Sequence, residues 1–87
     1  MVNPYTQEDN IRIFSCQVDD DELVWHRDKE DRLITVLEGE GWMFQKDNQL
    51  PFSLSEGDNV FIEAWEYHRI LKGKTDLKIS IKGHENV

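Results

Sequence analysis

The 87-residue chain is poor in the residues that build sulfur-based sites. It contains one cysteine, Cys16, and this excludes both an intramolecular disulfide and a metal site made of several thiolates. No neighbouring residue suggests a base that would activate this thiol as a nucleophile. We therefore expect Cys16 to pack as a small apolar side chain.

Basic residues are also scarce, since ten Lys and Arg stand against 18 Asp and Glu, for a net charge of −8. Nucleic-acid binders need Lys and Arg for phosphate contacts, so we expect no nucleic-acid partner. The apolar runs are far shorter than the roughly 20 residues that span a bilayer, and residues 1–10 have no apolar signal core. We expect no membrane association and a cytoplasmic location.

What the sequence does contain is typical of a single all-β domain over residues 1–87, with its core in residues 11–82. Five glycines are spread along the chain, and between them lie short segments rich in β-branched and aromatic residues. No helical stripe of ten or more residues is visible. The pattern predicts strands at 11–16, 23–27, 32–38, 41–46, 49–54, 59–63, 68–72 and 77–82.

Alternation and turn residues give this prediction detail. Apolar residues occupy every second position at 50–54 and at 77–81, which places one set of side chains inward and the other outward. Asp47 and Asn48 lie between two predicted strands and indicate a hairpin. Pro51 lacks an N–H group, so its strand should lie at a sheet edge or carry a bulge. The acidic run at 19–22 is expected to be a solvated loop, because it lacks the spaced ligands of a calcium loop.

Three segments resemble the motifs of the cupin superfamily. They are Val-Leu-Glu-Gly-Glu-Gly at 36–41, Glu-Gly-Asp-Asn-Val-Phe-Ile at 56–62, and the His-Arg pair at 68–69. The similarity covers roughly residues 23–81. It implies a small antiparallel β-barrel or jelly roll, the double-stranded β-helix. Cupins carry many unrelated functions, so the resemblance is specific for fold and weak for activity.

The resemblance also implies a metal site, with departures from the family pattern. Many cupins bind a divalent metal through two His and one Glu of the first motif and one His of the second. By position, the first and last His fall on His26 and His68. The second His falls on Asp28, and the Glu falls on Arg32.

The residues that remain form an H-x-D…H set. His26 and Asp28 are two positions apart, so in a strand they point to the same side. Two imidazoles and one carboxylate form the facial triad that binds Fe²⁺, and Mn²⁺, Ni²⁺ or Zn²⁺ suit the same ligands. Two alternatives stay open: Asp28 forms an ion pair with Arg27, Arg32 or Arg69 instead, or Glu30 or Asp31 supplies the carboxylate.

Four further residues are candidates for binding a small molecule. Trp65 and Tyr67 precede His68 and are expected to line the entrance of the barrel. Arg32 or Arg69 would bind an anionic group. If Arg32 points inward, its guanidinium repels a cation, which favours a metal-free pocket.

Three functions therefore compete. The first is a small cupin-type binding domain holding a divalent metal, a small polar ligand, or both. The second is a metal-dependent enzyme of dioxygenase, isomerase or lyase type, and the sequence leaves open whether the chain is an enzyme. The third is a metal-free interaction or regulatory domain. A homodimer is expected, with residues 11–14 adding an edge strand to a partner.

Overall fold

The computed structural model describes residues 4–84 and consists almost entirely of strands. This confirms the predicted all-β class. One short 3-10 helix, Asp20–Glu22, interrupts the strands. The strands are β1 (Tyr5–Glu8), β2 (Ile11–Phe14), β3 (Asp31–Glu38), β4 (Met43–Lys46), β5 (Phe52–Ser53), β6 (Asn59–Ile62), β7 (His68–Leu71) and β8 (Leu77–His84).

The strands form two antiparallel sheets whose inner faces enclose the core. The larger sheet has the order β1-β2-β8-β3-β6, and the smaller has the order β5-β4-β7. Within residues 4–84 the two sheets do not join into one closed sheet, so the architecture shown is an antiparallel sandwich. The narrower prediction of a barrel or jelly roll stays a prediction.

The two long strands, β3 and β8, form the centre of the larger sheet. Val36 lies opposite Ile79, and the register shifts at a bulge between Val36 and Glu38. Leu77 and Ile79 are buried, which confirms the alternation predicted for β8. Burial of these inward side chains supplies the hydrophobic stabilisation of a small domain.

The centre of the core is Trp42, which is completely buried. Its indole Nε1 donates to the carbonyl of Thr75, so the one polar atom of the ring is satisfied. A Cβ at Gly73 would collide with Trp42 and with the backbone of Glu40. The loop after β7 therefore needs glycine there to cover the indole.

The hairpin predicted at Asp47 and Asn48 is confirmed, since β4 pairs with β5 and Asn48 has a positive φ of 60°. Pro51 precedes β5, which is an edge strand as its missing N–H requires. The alternation predicted for 50–54 is only partly right. Leu54 is buried, whereas Leu50 is 87% exposed, because the hairpin loop extends through it.

Two regions differ from the sequence prediction. Residues 23–27 form no strand and pair only through an isolated bridge between His26 and His68. The first strand, β1, was not predicted, and it covers β2 in the sheet. Residues 11–14 are thus paired on both sides within the chain, by β1 and β8, and their addition to a partner as an edge strand stays a prediction. The two-residue turn at Asp9, where φ is 55°, folds β1 back onto β2.

None of the helical structure found in residues 4–84 is long and apolar enough to cross a membrane.

Candidate metal centre and cavity

His26 and His68 are brought together by direct backbone pairing. The His26 N–H donates to the His68 carbonyl at 3.0 Å, and the His68 N–H donates to the His26 carbonyl at 2.9 Å. Residues that exchange both hydrogen bonds lie opposite each other with their side chains on one face. The two ring centroids are accordingly 4.3 Å apart.

The same local contact orients each imidazole. Nδ1 of His26 lies 3.0 Å from the carbonyl oxygen of Val24, and Nδ1 of His68 lies 2.8 Å from that of Glu66. A carbonyl oxygen only accepts, so each Nδ1 carries the proton and donates it. In the neutral ring this leaves a lone pair on each Nε2, as metal-binding histidines require.

Asp28 completes the group. Its Oδ2 lies 3.4 Å from Nε2 of His68, and one ligand atom from each of His26, Asp28 and His68 lies within 4.8 Å of the others. The same Oδ2 is buried and has no hydrogen-bond partner. An unpartnered buried carboxylate oxygen is costly, and a cation placed between it and the imidazoles would satisfy it.

Arg32 occupies the other side of the Asp28 carboxylate. Its Nη1 lies 3.6 Å from Oδ1 of Asp28, and its Nη2 donates to Oε1 of Glu30 at 3.3 Å. The ion-pair alternative for Asp28 is thus present on one oxygen, while the other oxygen faces His68. The remaining donor, Nε of Arg32, is buried without a partner.

Burial controls the charge of His68, which is only 4% exposed. Desolvation lowers the pKa of His68, and the electrostatic interactions with His26 and Arg32 act in the same direction. The hydrogen bond to the Glu66 carbonyl and the charge of Asp28 oppose this shift and only partly offset it. The neutral form of His68, the form in which an imidazole can bind a metal, is therefore favoured near neutral pH.

The three residues lie on the wall of a cavity of ≈ 290 Å³ between the two sheets. This volume is close to the lower end for small-molecule sites. Most of the lining is apolar and comes from both sheets, including Phe14, Ile34, Phe44, Leu54, Val60, Ile62, Ile70, Leu77 and Ile79.

Comparisons with known proteins leave this geometry as the main basis for a function. No protein-family model matches the chain, and no curated protein matches it. The small antiparallel sandwich and its His-Asp-His group are compatible with a cupin-like fold. The cupin resemblance itself still rests on the sequence motifs.

Of the four residues predicted to bind a small molecule, the structure places only Arg32 on the cavity wall. Tyr67 and Arg69 flank His68 and therefore point to the opposite side. Trp65 and Tyr67 are exposed, with the Arg27 guanidinium 5.4 Å and 5.1 Å from their ring centroids. Binding of a ligand by Trp65, Tyr67 or Arg69 stays a prediction, and their positions do not favour a contact inside the cavity.

The two alternative carboxylates lie outside the group formed by His26, Asp28 and His68. Glu30 pairs with Arg32. Oδ1 of Asp31 accepts a hydrogen bond from the Ala64 N–H at 2.7 Å, which anchors the loop before β7. Both acidic groups thus have structural partners of their own.

Sequence reasoning missed Arg12, which lines the cavity from β2. Arg12 precedes Phe14 by two positions, so the two side chains share a face. Phe14 is buried in the core. Alternation at 12–14 was thus a signal that could have placed this guanidinium inside.

Cys16 lies away from this group and is poorly suited to nucleophilic chemistry. Its backbone N–H donates to Oδ1 of Asp76 at 2.8 Å. The side-chain hydrogen bond to Asp76 raises the pKa of the thiol, and desolvation and the Asp76 charge add to the shift. A raised pKa reduces the thiolate fraction on which cysteine reactivity depends.

Proposed function

We propose that the protein is a small cupin-type binding domain that holds one divalent transition-metal ion between His26, Asp28 and His68. The ligands would be Nε2 of each imidazole and the Asp28 carboxylate. Positions left open on the metal would face the cavity and bind a small polar ligand.

The observation that carries this proposal is the contact between His68 and Asp28. With its proton on Nδ1, neutral His68 presents a lone pair to a carboxylate oxygen 3.4 Å away. Two acceptors face each other, and this arrangement is stable only with a cation between them. A proton is the less favourable cation, because burial lowers the pKa of His68. A metal ion satisfies both atoms and the second imidazole together.

The donor set narrows the choice of metal. Two imidazoles and a carboxylate suit Fe²⁺, Mn²⁺, Ni²⁺ or Zn²⁺, whereas Ca²⁺ and Mg²⁺ prefer all-oxygen sites. Imidazole-to-metal bonds are about 2.1 Å long, so ligand atoms up to 4.8 Å apart need only a small movement to meet one ion.

The test is direct measurement of metal binding by the full chain without an affinity tag. Protein stripped with chelator is titrated with Ni²⁺ and Zn²⁺, and bound metal is counted by elemental analysis after desalting. We expect one ion per chain, and the His26→Ala and His68→Ala variants should each lose it. Glu30→Gln is the matched control, because Glu30 lies near the group but is bonded to Arg32.

Absence of stoichiometric metal in the folded wild type, with Fe²⁺ and Mn²⁺ tested as well, would overturn the proposal. Retention of metal by both folded His variants would overturn it too. Circular dichroism of each variant establishes folding before the metal is counted.

A metal-dependent enzyme of dioxygenase, isomerase or lyase type is the second candidate, favoured by the small number of protein ligands. Three ligands leave positions open for a substrate, and a metal there would supply Lewis-acid or redox chemistry. Water-proton relaxation of the Mn²⁺-loaded protein measures whether water occupies open positions on the metal. Rapidly exchanging water on the ion would support the candidate, and a relaxation rate without an inner-sphere contribution would contradict it.

A further inference from the structure

Arg12 is held in a fixed orientation on the cavity wall. Its guanidinium carbon lies 3.9 Å from the ring centroid of Tyr5. Its Nε and Nη2 donate to Oε1 of Gln7 at 3.0 Å and 2.8 Å. A stacked guanidinium that is also bound along one edge is preorganised, so little entropy is lost when its free edge binds a ligand.

This guanidinium has no counter-ion in the part of the chain that the structure describes. The ion pairs of residues 4–84 include Arg32 and Lys46 but not Arg12, and the hydrogen-bond partner of Arg12, Gln7, is neutral. Desolvation lowers the pKa of Arg12, although an arginine keeps its charge in proteins. A partly desolvated cation without a counter-ion favours an anion brought by a ligand.

The balance of charge around the cavity also favours an anionic ligand. Arg12 and Arg32 contribute two positive charges to the lining, and Glu22 and Asp28 contribute two negative charges. A divalent ion at the proposed centre would add two positive charges that nothing in the lining offsets. An anionic ligand would reduce this excess.

The remaining residues of the cavity wall determine the chemistry of the uncharged part of the ligand. Phe14 and Ile79 lie beside Arg12, since Ile79 is its cross-strand partner on β8, and both line the cavity. Leu54 and Ile62 add further apolar surface. An apolar wall of this kind excludes a highly hydrated polyanion and favours a ligand with one charged end and an apolar body.

We propose that the cavity binds a small organic carboxylate with an apolar body, and that Arg12 is the residue that selects the anion. The carboxylate would pair with the free edge of the Arg12 guanidinium, and the body would pack on the apolar wall. This inference rests on the proposed function for the use of the cavity as a ligand site.

The test compares two probes of the same length, hexanoate and the uncharged hexanamide. Each is titrated into ¹⁵N-labelled full-length protein, once with chelator and once with Zn²⁺, and amide shifts are followed by NMR. We expect hexanoate to bind at least about tenfold more tightly than hexanamide, because charge-assisted pairs to a partly buried guanidinium are strong. The largest shifts should fall on β2 and β8.

Variants assign the preference to one residue. Arg12→Gln should lose about tenfold in hexanoate affinity and leave hexanamide unchanged. Arg12→Lys, which keeps the charge, should retain part of the preference and serves if the first variant does not fold. Arg27→Gln is the matched control, because Arg27 stacks on Trp65 and Tyr67 outside the cavity, and it should bind both probes as wild type does.

Equal affinities for the two probes, or no binding of hexanoate in the millimolar range, would overturn the inference. So would wild-type affinity for hexanoate in folded Arg12→Gln. The Zn²⁺ count of the same samples separates this result from the metal proposal. If zinc binds and Arg12→Gln leaves hexanoate affinity unchanged, only the anion-site proposal is wrong. If hexanoate binds through Arg12 and zinc does not bind, only the metal-site proposal is wrong.

Discussion

Nη1 of Arg32 lies 3.6 Å from Oδ1 of Asp28, the carboxylate oxygen next to the one that faces His68. One carboxylate thus lies between a fixed cation and the space where a metal would bind. The two members of this pair should therefore affect metal affinity in opposite directions.

Asp28→Asn should weaken Ni²⁺ binding at least about tenfold, because it removes the only anionic ligand without changing the side-chain shape. Arg32→Gln should strengthen it roughly fivefold, since removal of a nearby positive charge is worth on the order of 1 kcal/mol. Isothermal titration at one pH and ionic strength measures both. Weaker binding in Arg32→Gln would mean that its role in orienting Asp28 outweighs its charge.

The buried imidazole of His68 should make stability depend on pH. Because the pKa of His68 is lowered in the folded state, the unfolded chain binds more protons between that pKa and the ordinary value near 6.5. The contribution of neutral His68 to the free energy of unfolding should be fully present above about pH 6.5. The free energy of unfolding should fall as the pH decreases through this window. Urea unfolding in chelator from about pH 5 to pH 8 measures it.

His68→Gln is the comparison for this experiment. It removes the titrating group, so its stability should change less over the same range of pH. A slope equal to that of wild type would assign the pH dependence to other residues.

A Leu→Ala substitution should lower the free energy of unfolding much more in the core than at the surface. Leu77 is 1% exposed and Leu50 is 87% exposed. Leu77→Ala should lower the free energy of unfolding by about 2–5 kcal/mol, whereas Leu50→Ala should change it by less than about 0.5 kcal/mol. Urea unfolding followed by circular dichroism measures both, and similar losses at the two positions would contradict the packing described above.

The backbone at Trp65 should prefer glycine. Its φ is 67°, a conformation that strains any residue with a Cβ. Trp65→Gly should therefore be more stable than Trp65→Ala by roughly 0.5–1 kcal/mol, after the greater unfolded-state entropy of glycine is allowed for. Thermal unfolding compares the two variants, which both lack the indole, and the reverse order would indicate that the loop relaxes to a negative φ.

The central strands and the convergence of His26, Asp28 and His68 could be predicted because local pattern and register determine them. Alternation gave the inward face of β8, and motif spacing placed His26 and His68 on one site. Asp28 followed from its two-residue separation from His26. The positive φ of Trp65 could not be predicted, because a bulky residue rarely adopts that conformation.

The remainder of the cavity wall depends on pairing that the sequence does not show. Tyr5 and Gln7 belong to a short, polar strand without clear alternation, so their support of Arg12 was not predicted. Residues 23–27 look like a strand by composition, but their backbone pairs with β7 only through the bridge between His26 and His68. Tyr67 is adjacent to His68, so a period of two with His68 inward places Tyr67 outward.

The support of Arg12 has a consequence for the dynamics of the domain. The β1–β2 hairpin carries Tyr5, Gln7 and Arg12, and it joins the rest of its sheet only through β8. A hairpin at the edge of a sheet that pairs with it along one strand is among the first parts of a domain to open and exchange its amide protons. An occupant of the cavity that contacts Arg12 would hold this hairpin against the sheet, so slower amide exchange in β1 would report occupancy of the cavity, to whose wall β1 contributes Tyr5.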